Sequence, residues 1–267
     1  MGLSSELPAK NGFGRAKCPR QETRYPDIVF SQFTGAEMLA EKHGFSKDEM
    51  DEFGFQSQQK AAAATREGRF EQEIAPIEIV ALDGSREFHK VDEGIRFEAT
   101  LEAVKGVRLI REGGRITAAT ASQICDGASG VMVVNERGLK ALGVQPLARI
   151  HAMSLSAGDP VIMLEEPLFA TDKALKRAGM RIDYIDLYEV NEAFASVPMA
   201  WAKHTGADPA RLNVHGGAIA LGHPLGASGT KLMTTLVHAL KTHNKRYGLQ
   251  TMCEGGGMAN VTIVERL

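Results

Sequence analysis

The sequence predicts an α/β fold, and three observations predict it. The second half alternates short apolar, β-branched runs with helix-patterned stretches. Helix-patterned stretches, one in each half, stop at Gly68 and Gly179, residues suited to a helix end. The composition, 43% hydrophobic and 24% charged over 267 residues, is that of a globular chain long enough for one large domain or two modest ones. Strands that alternate with helices build a sheet with helices packed on it.

Along the chain, residues 1–33 are rich in Gly, Pro and charge and read as an extended, largely irregular arm. Residues 35–44 read as a short helix and 46–68 as a second, with Ser46 and Glu49 forming a capping box. Residues 73–97 read as strands and turns, and the charged stretch Val91–Gly114 as exposed. From Ile116 a loop, a short helix, a strand at Val131–Val134 and another helix are expected. Strands follow at 148–156, 185–190, 212–216, 247–256 and 260–267. The intervening helices cover 169–179, 191–206 with Pro198 inside, and 227–244.

The formal net charge of −2 makes no case for nucleic-acid binding. There is no run of about 18 apolar residues to cross a membrane, no signal-peptide core at the N-terminus and no address at the C-terminus. A cytoplasmic protein is the expectation. Cys18, Cys125 and Cys253 are odd in number and widely spaced, so neither a disulfide framework nor a CxxC zinc site is expected. His238 and His243 are five apart on a helix, the wrong spacing for one face, so with His215 they read as surface or packing residues rather than metal ligands. Arg15, Lys17, Arg20 and Arg24 read as solvated charges, with contact to ligand phosphates as the sharper alternative.

Three segments near strand–loop junctions carry candidate chemistry. In Asn213–Gly229, glycines let the backbone approach a ligand closely, and His223 is fixed between Gly222 and Pro224 as a proton donor, acceptor or oxyanion partner. The bland reading is a Gly-rich turn with a surface histidine. In Cys253–Met258, a thiol precedes three glycines whose N–H groups are oxyanion-hole ingredients, against the plain alternative of a buried structural cysteine. In Tyr188–Phe194, Asn191 either orients a water or carbonyl or caps the following helix, and taken alone capping is the better reading.

Together the three say more. NEAF, then NVHGGAIALGHPLGASG, then CEGGG near the C-terminus resembles the thiolase family. FSQFTGAEMLAEKHGFSKDEMDEFGFQSQQKA looks like that family's loop domain, and TAATASQICDGASGVMVV like the return to its core, so the resemblance runs from about Tyr25 onward. It implies a thiolase-like α/β fold: 1–115 an arm and loop domain, 116–140 a remnant of the N-terminal core, and 141–267 a C-terminal βαβαβαββ-type domain. It also implies thiolytic cleavage of 3-ketoacyl-CoA, or the reverse Claisen condensation, in fatty-acid or steroid breakdown. Coenzyme A is then a co-substrate and nothing is tightly bound. By motif, His223 activates the nucleophile and joins an oxyanion hole, and Asn191 holds a water there. Cys253 is the acid/base at the acetyl carbon, Gly255 N–H serves a second hole, and Ser122 lies by the pantetheine arm.

One departure matters. The family's nucleophilic cysteine lies in a segment before the loop domain, and this chain is expected to lack it, together with most N-terminal core strands. Neither Cys18 nor Cys125 matches it. Acyl-CoA and CoA are the expected ligands, in a homo-oligomer or beside a companion chain supplying the N-terminal half, with no nucleic-acid or membrane partner. The competing readings are a non-catalytic acyl-CoA or lipid-binding protein, the partner subunit of a split thiolase, and a ketoacyl synthase relative. The second cysteine argues against the last.

Overall fold

A computed structural model describes residues 18–267. Residues 1–17 of the expected arm, with Arg15 and Lys17, lie outside the described residues. The rest of the arm is less irregular than expected: α1 (Pro19–Arg24) forms behind Cys18, with proline in its first turn, where its missing N–H costs nothing. α2 (Gln32–His43) ends on left-handed Gly44. α3 (Lys47–Arg66) starts with the expected capping box, in which Ser46 Oγ accepts from Glu49 N–H while the Glu49 carboxylate accepts from Ser46 N–H. The expected strands are an antiparallel hairpin, β1 (Ile77–Val80) and β2 (Arg86–His89). The stretch expected to be exposed instead contains buried Ile95, and α4 (Leu101–Lys105) buries Val104.

The second half forms one four-stranded sheet. α5 (Glu136–Leu142) precedes β3 (Ala148–Ala157), then α6 (Glu166–Ala178), β4 (Leu187–Val190), α7 (Ser196–Thr205), α8 (Ala218–Leu221), α9 (Ser228–Thr242), β5 (Tyr247–Glu254) and β6 (Met258–Arg266). The order is β3-β6-β5-β4: β4 and β5 are parallel, and the other pairs are antiparallel. Tyr188, Val190, Leu249 and Ile263 pack on one face with Leu168 of α6 and Trp201 of α7. Leu187 and Val264 pack on the other with Leu236, Ala239 and Leu240 of α9.

Four further expectations need correction. Val131–Val134 has no strand neighbour and stands 40–75% exposed; β-branched residues favour strands only where a neighbour can pair with them. The short helix expected between Ile116 and that stretch does not form. Residues 212–216 are not a strand either. Asn213 takes the pairing role with its side chain: Oδ1 accepts from Val190 N–H and Nδ2 donates to Val190 O. The helix expected from 191 begins at Ser196, because the backbone of 191–195 is bonded to other segments: Asn191 N–H donates to Thr251 O, Ser122 N–H to Ala193 O and Ala195 N–H to Thr120 O. Pro198 is thereby in the first turn of α7, where a proline is tolerated. Among the described residues no helix is long and apolar enough to cross a membrane.

Candidate active site

The C-terminal ends of parallel β4 and β5 lie side by side, with Val190 opposite Thr251. Asn191 leaves β4 there and Cys253 follows two residues after Thr251 on β5, so both lie at the same end of the sheet. Asn191 does not cap α7; its Nδ2 lies 3.3 Å from His223 Nε2. His223 arrives from the glycine-rich loop. Its backbone N–H donates to Gln123 O, and its Nδ1 lies 2.5 Å from Ser228 Oγ at the start of α9. Ser228 Oγ itself donates to Pro224 O. The Ser228 oxygen therefore accepts from His223 Nδ1–H, which leaves the lone pair on Nε2. Burial lowers the His223 pKa below the ordinary imidazole value, so the ring is neutral and basic at Nε2 near pH 7.

Cys253 is 8% exposed, and burial pushes its thiol up to about 12. It holds its proton at neutral pH. Gly255 opens the Gly255–Gly257 turn between β5 and β6, half-buried. Gly257 has a φ of 76° and leaves no room for a side chain, since a Cβ there would lie 2.6 Å from Asp159 O.

Ser122 is half-buried, and its N–H donates to Ala193 O in the Asn191–Ala195 segment. It lies on the wall of a cavity of about 990 Å³ lined by residues of α2, α3 and α4, the 95–99 and 118–124 segments, and Ile219 of α8. That wall is mostly apolar, with Phe33, Ile95, Phe97, Val107 and Ile124 among its residues and Arg96 among its few charges. The segment 120–123 thus binds the asparagine loop, the histidine loop and the cavity wall at once.

Sequence reasoning missed three residues. Ser228, five positions after His223, fixes the imidazole tautomer. Glu192, inside NEAF, accepts from Ser57 Oγ at 2.6 Å, Asn213 Nδ2 at 2.9 Å and Ile219 N–H at 3.1 Å, tying α3 and α8 to the end of β4. Cys125 packs on the histidine loop: a Cβ added to Gly222 would lie 2.4 Å from its Sγ. The signal available for Ser228 and Glu192 was their place inside the motifs; nothing marked Cys125. Cys18 is exposed at the start of α1. Arg20 and Arg24 also lie on α1, and the Arg24 guanidinium stacks on Tyr25. His215 is buried with Nε2 3.2 Å from His243 Nε2, and no cluster of three or more metal-ligating side chains occurs among the described residues.

Comparison with known proteins gives a consistent result. The thiolase C-terminal domain profile matches residues 144–266 and the thiolase N-terminal domain profile residues 27–137. Steroid 3-ketoacyl-CoA thiolase FadA6 of Mycobacterium tuberculosis is 54% identical over 270 residues, covering 99% of this chain and 65% of that protein. A 3-ketoacyl-CoA thiolase of Vibrio cholerae is 45% identical, covering 86% of this chain and 61% of its own length. The chain thus spans just under two thirds of these relatives. Human mitochondrial 3-ketoacyl-CoA thiolase, solved in complex with CoA, superposes with a TM-score of 0.81 at 38% identity, covering 88% of this chain and 58% of its own.

Proposed function

Since the chain belongs to the thiolase family, we propose that it is an acyl-CoA acyltransferase half-site for thiolytic cleavage of 3-ketoacyl-CoA, or the reverse Claisen condensation, acting on acyl groups from fatty-acid or steroid breakdown. The observation that carries this is the contact of Asn191 with a neutral His223 at the end of β4, with protonated Cys253 at the same end of neighbouring β5 and a large apolar cavity on the far side of the 120–123 segment.

In thiolysis a cysteine thiolate attacks the 3-keto carbon and the Cα–Cβ bond breaks. The electron pair stays on the departing acetyl-CoA carbon as an enolate, and the CoA thiol then takes the acyl group from the enzyme. His223 Nε2 has the lone pair to remove the nucleophile's proton. Once protonated, the same N–H becomes a donor to the thioester oxygen, beside a water held by Asn191. Cys253, protonated in the resting site, returns a proton to the enolate carbon. Gly255 N–H serves the acyl-enzyme oxyanion, and the cavity wall at Ser122 takes the pantetheine arm. In this reading residues 18–115 act as the loop domain and 141–267 as the catalytic C-terminal domain.

A second reading, in which this chain is the CoA-binding partner of a companion chain that brings the nucleophile, is favoured by the open apolar strip on β3, where Met153 and Leu155 are 59% and 71% exposed. Thiolysis of acetoacetyl-CoA with added CoA separates the two. Turnover abolished by both His223→Ala and Cys253→Ala supports the catalytic reading. CoA binding without turnover, with turnover restored by adding the part of a relative that this chain does not span, supports the second. Absence of CoA binding rejects both.

A further inference from the structure

Glu189 and Asn191 lie two residues apart, and so on one side of the chain as it leaves β4, the side that faces α9. Between them and α9 lies a cavity of about 10 Å³, lined by Glu189, Asn191, Gly217, Ser228, Lys231 and Thr235. That is close to the smallest space that holds one water, on the order of 10–15 Å³. Glu189 and Asn191 are each 1% exposed, and Glu189 Oε2 and Asn191 Oδ1 have no hydrogen-bond partner among the described residues.

Hydrogen-bond direction explains why these two atoms belong together. His223 presents its Nε2 lone pair to Asn191, so the asparagine must turn its NH₂ toward the ring and its Oδ1 away. That oxygen needs a donor. Most side-chain donors on the cavity wall are committed elsewhere, Ser228 to Pro224 O and Thr235 to Glu73, as is Gly217 N–H to Ser57 Oγ, while Lys231 spends two of its three N–H groups on Leu221 O and Asp92. Glu189 Oε2, equally unpartnered on the same wall, is the group that a water donating to Asn191 Oδ1 would also meet. We propose that this cavity is a structural water site in which the Glu189 carboxyl donates to one water and that water donates to Asn191 Oδ1, making Glu189 a positioning residue for the Asn191–His223 pair. A buried carboxyl between a strand and a helix has no other evident task here.

The surroundings agree. Burial holds Glu189 well above the usual carboxylate range, the carboxylates of Glu192 and Glu73 push it further up, and Lys60 opposes them. Lys231, the cation on this wall, pairs with Asp92 at 3.1 Å. The consequence for turnover rests on the thiolase reading above; the placement of the amide does not.

The test therefore reads the imidazole directly. ¹⁵N NMR of histidine-labelled protein, with the His223 signals assigned through His223→Gln, gives its tautomer and titration midpoint in the parent chain, Glu189→Gln and Glu189→Leu. The parent and Glu189→Gln, whose amide can still donate, are expected to share the Nδ1–H tautomer and the low midpoint. In Glu189→Leu the Asn191 amide loses its anchor and turns Oδ1 to the ring, so the Nε2–H tautomer appears and the midpoint rises by on the order of one pH unit. An unchanged ring in Glu189→Leu, or a Glu189→Gln that behaves like Leu, overturns the proposal. Should the leucine variant fail to fold, infrared difference spectra of the parent against Glu189→Gln at pH 7 decide: a protonated carboxyl band in the parent is required, and an ionised carboxylate in its place overturns the proposal. None of these readouts needs turnover, so loss of the thiolase reading would leave them interpretable.

Discussion

Gly222 precedes the candidate histidine with a φ of 79°, and the Cys125 thiol fills the space where a side chain would go. Gly222→Ala must therefore strain the backbone and push Cys125 or His223 aside together. A cost of about 1–3 kcal/mol in stability is expected, with a loss of activity larger than the loss of fold because His223 moves with the turn. Urea unfolding beside CoA-dependent turnover checks this; full activity in a destabilised Gly222→Ala would contradict it. Cys125→Ser opens little space and is expected to leave both nearly unchanged, which also tests the view that Cys125 is wall rather than nucleophile.

Between elements, the buried carboxylates are the informative groups. Glu73 reaches the second turn of α9, where it accepts from Thr235 Oγ1 at 2.9 Å, and burial raises its pKa from the ordinary 4.5 to about 7. The folded state thus binds a proton that the unfolded state releases, so stability falls as pH rises from about 4.5 to about 7 and levels off above. Glu73→Gln should flatten that part of the melting profile, and an unchanged slope would show that other groups set it. The elements also show what a sequence can and cannot carry. Amphipathic α6, the Ser46–Glu49 capped α3 and the β5–β6 hairpin were legible because local pattern and tertiary role coincide. The 191–195 and 212–216 segments were not, because there side chains and distant backbone replace regular pairing: Asn213 substitutes for a strand, and residues 120–122 bond to the backbone of the NEAF turn. For the same reason His223, Asn191 and Cys253 could be named from motifs, while Ser228, Glu189 and Glu192, which act through them, needed geometry.

Over the whole molecule, the sheet is covered unevenly. α9 lies over β4 and β5, and the register that aligns Gln250, Thr262 and Met153 carries the same face on to β3, where Met153 and Leu155 stand open. Val131–Val134 adds further exposed apolar side chains, and uncovered apolar surface of this kind favours association. Sedimentation velocity should show concentration-dependent self-association that Met153→Lys with Leu155→Lys suppresses. A monodisperse monomer at high concentration would contradict it.

The central claim is that Cys253, served by His223 and Asn191, moves a proton at the acetyl carbon of a CoA thioester. Exchange of the methyl protons of acetyl-CoA in D₂O, followed by ¹H NMR, tests this without requiring acyl transfer. As thiolate, Cys253 takes a proton from the methyl carbon; as S–D thiol it returns a deuteron. Because its pKa is held near 12, the rate should rise with pH between about 7 and 9. It should vanish in Cys253→Ala and fall steeply in Asn191→Ala and His223→Ala. Acetyl-CoA that binds but does not exchange, or exchange that persists in Cys253→Ala, would contradict the account.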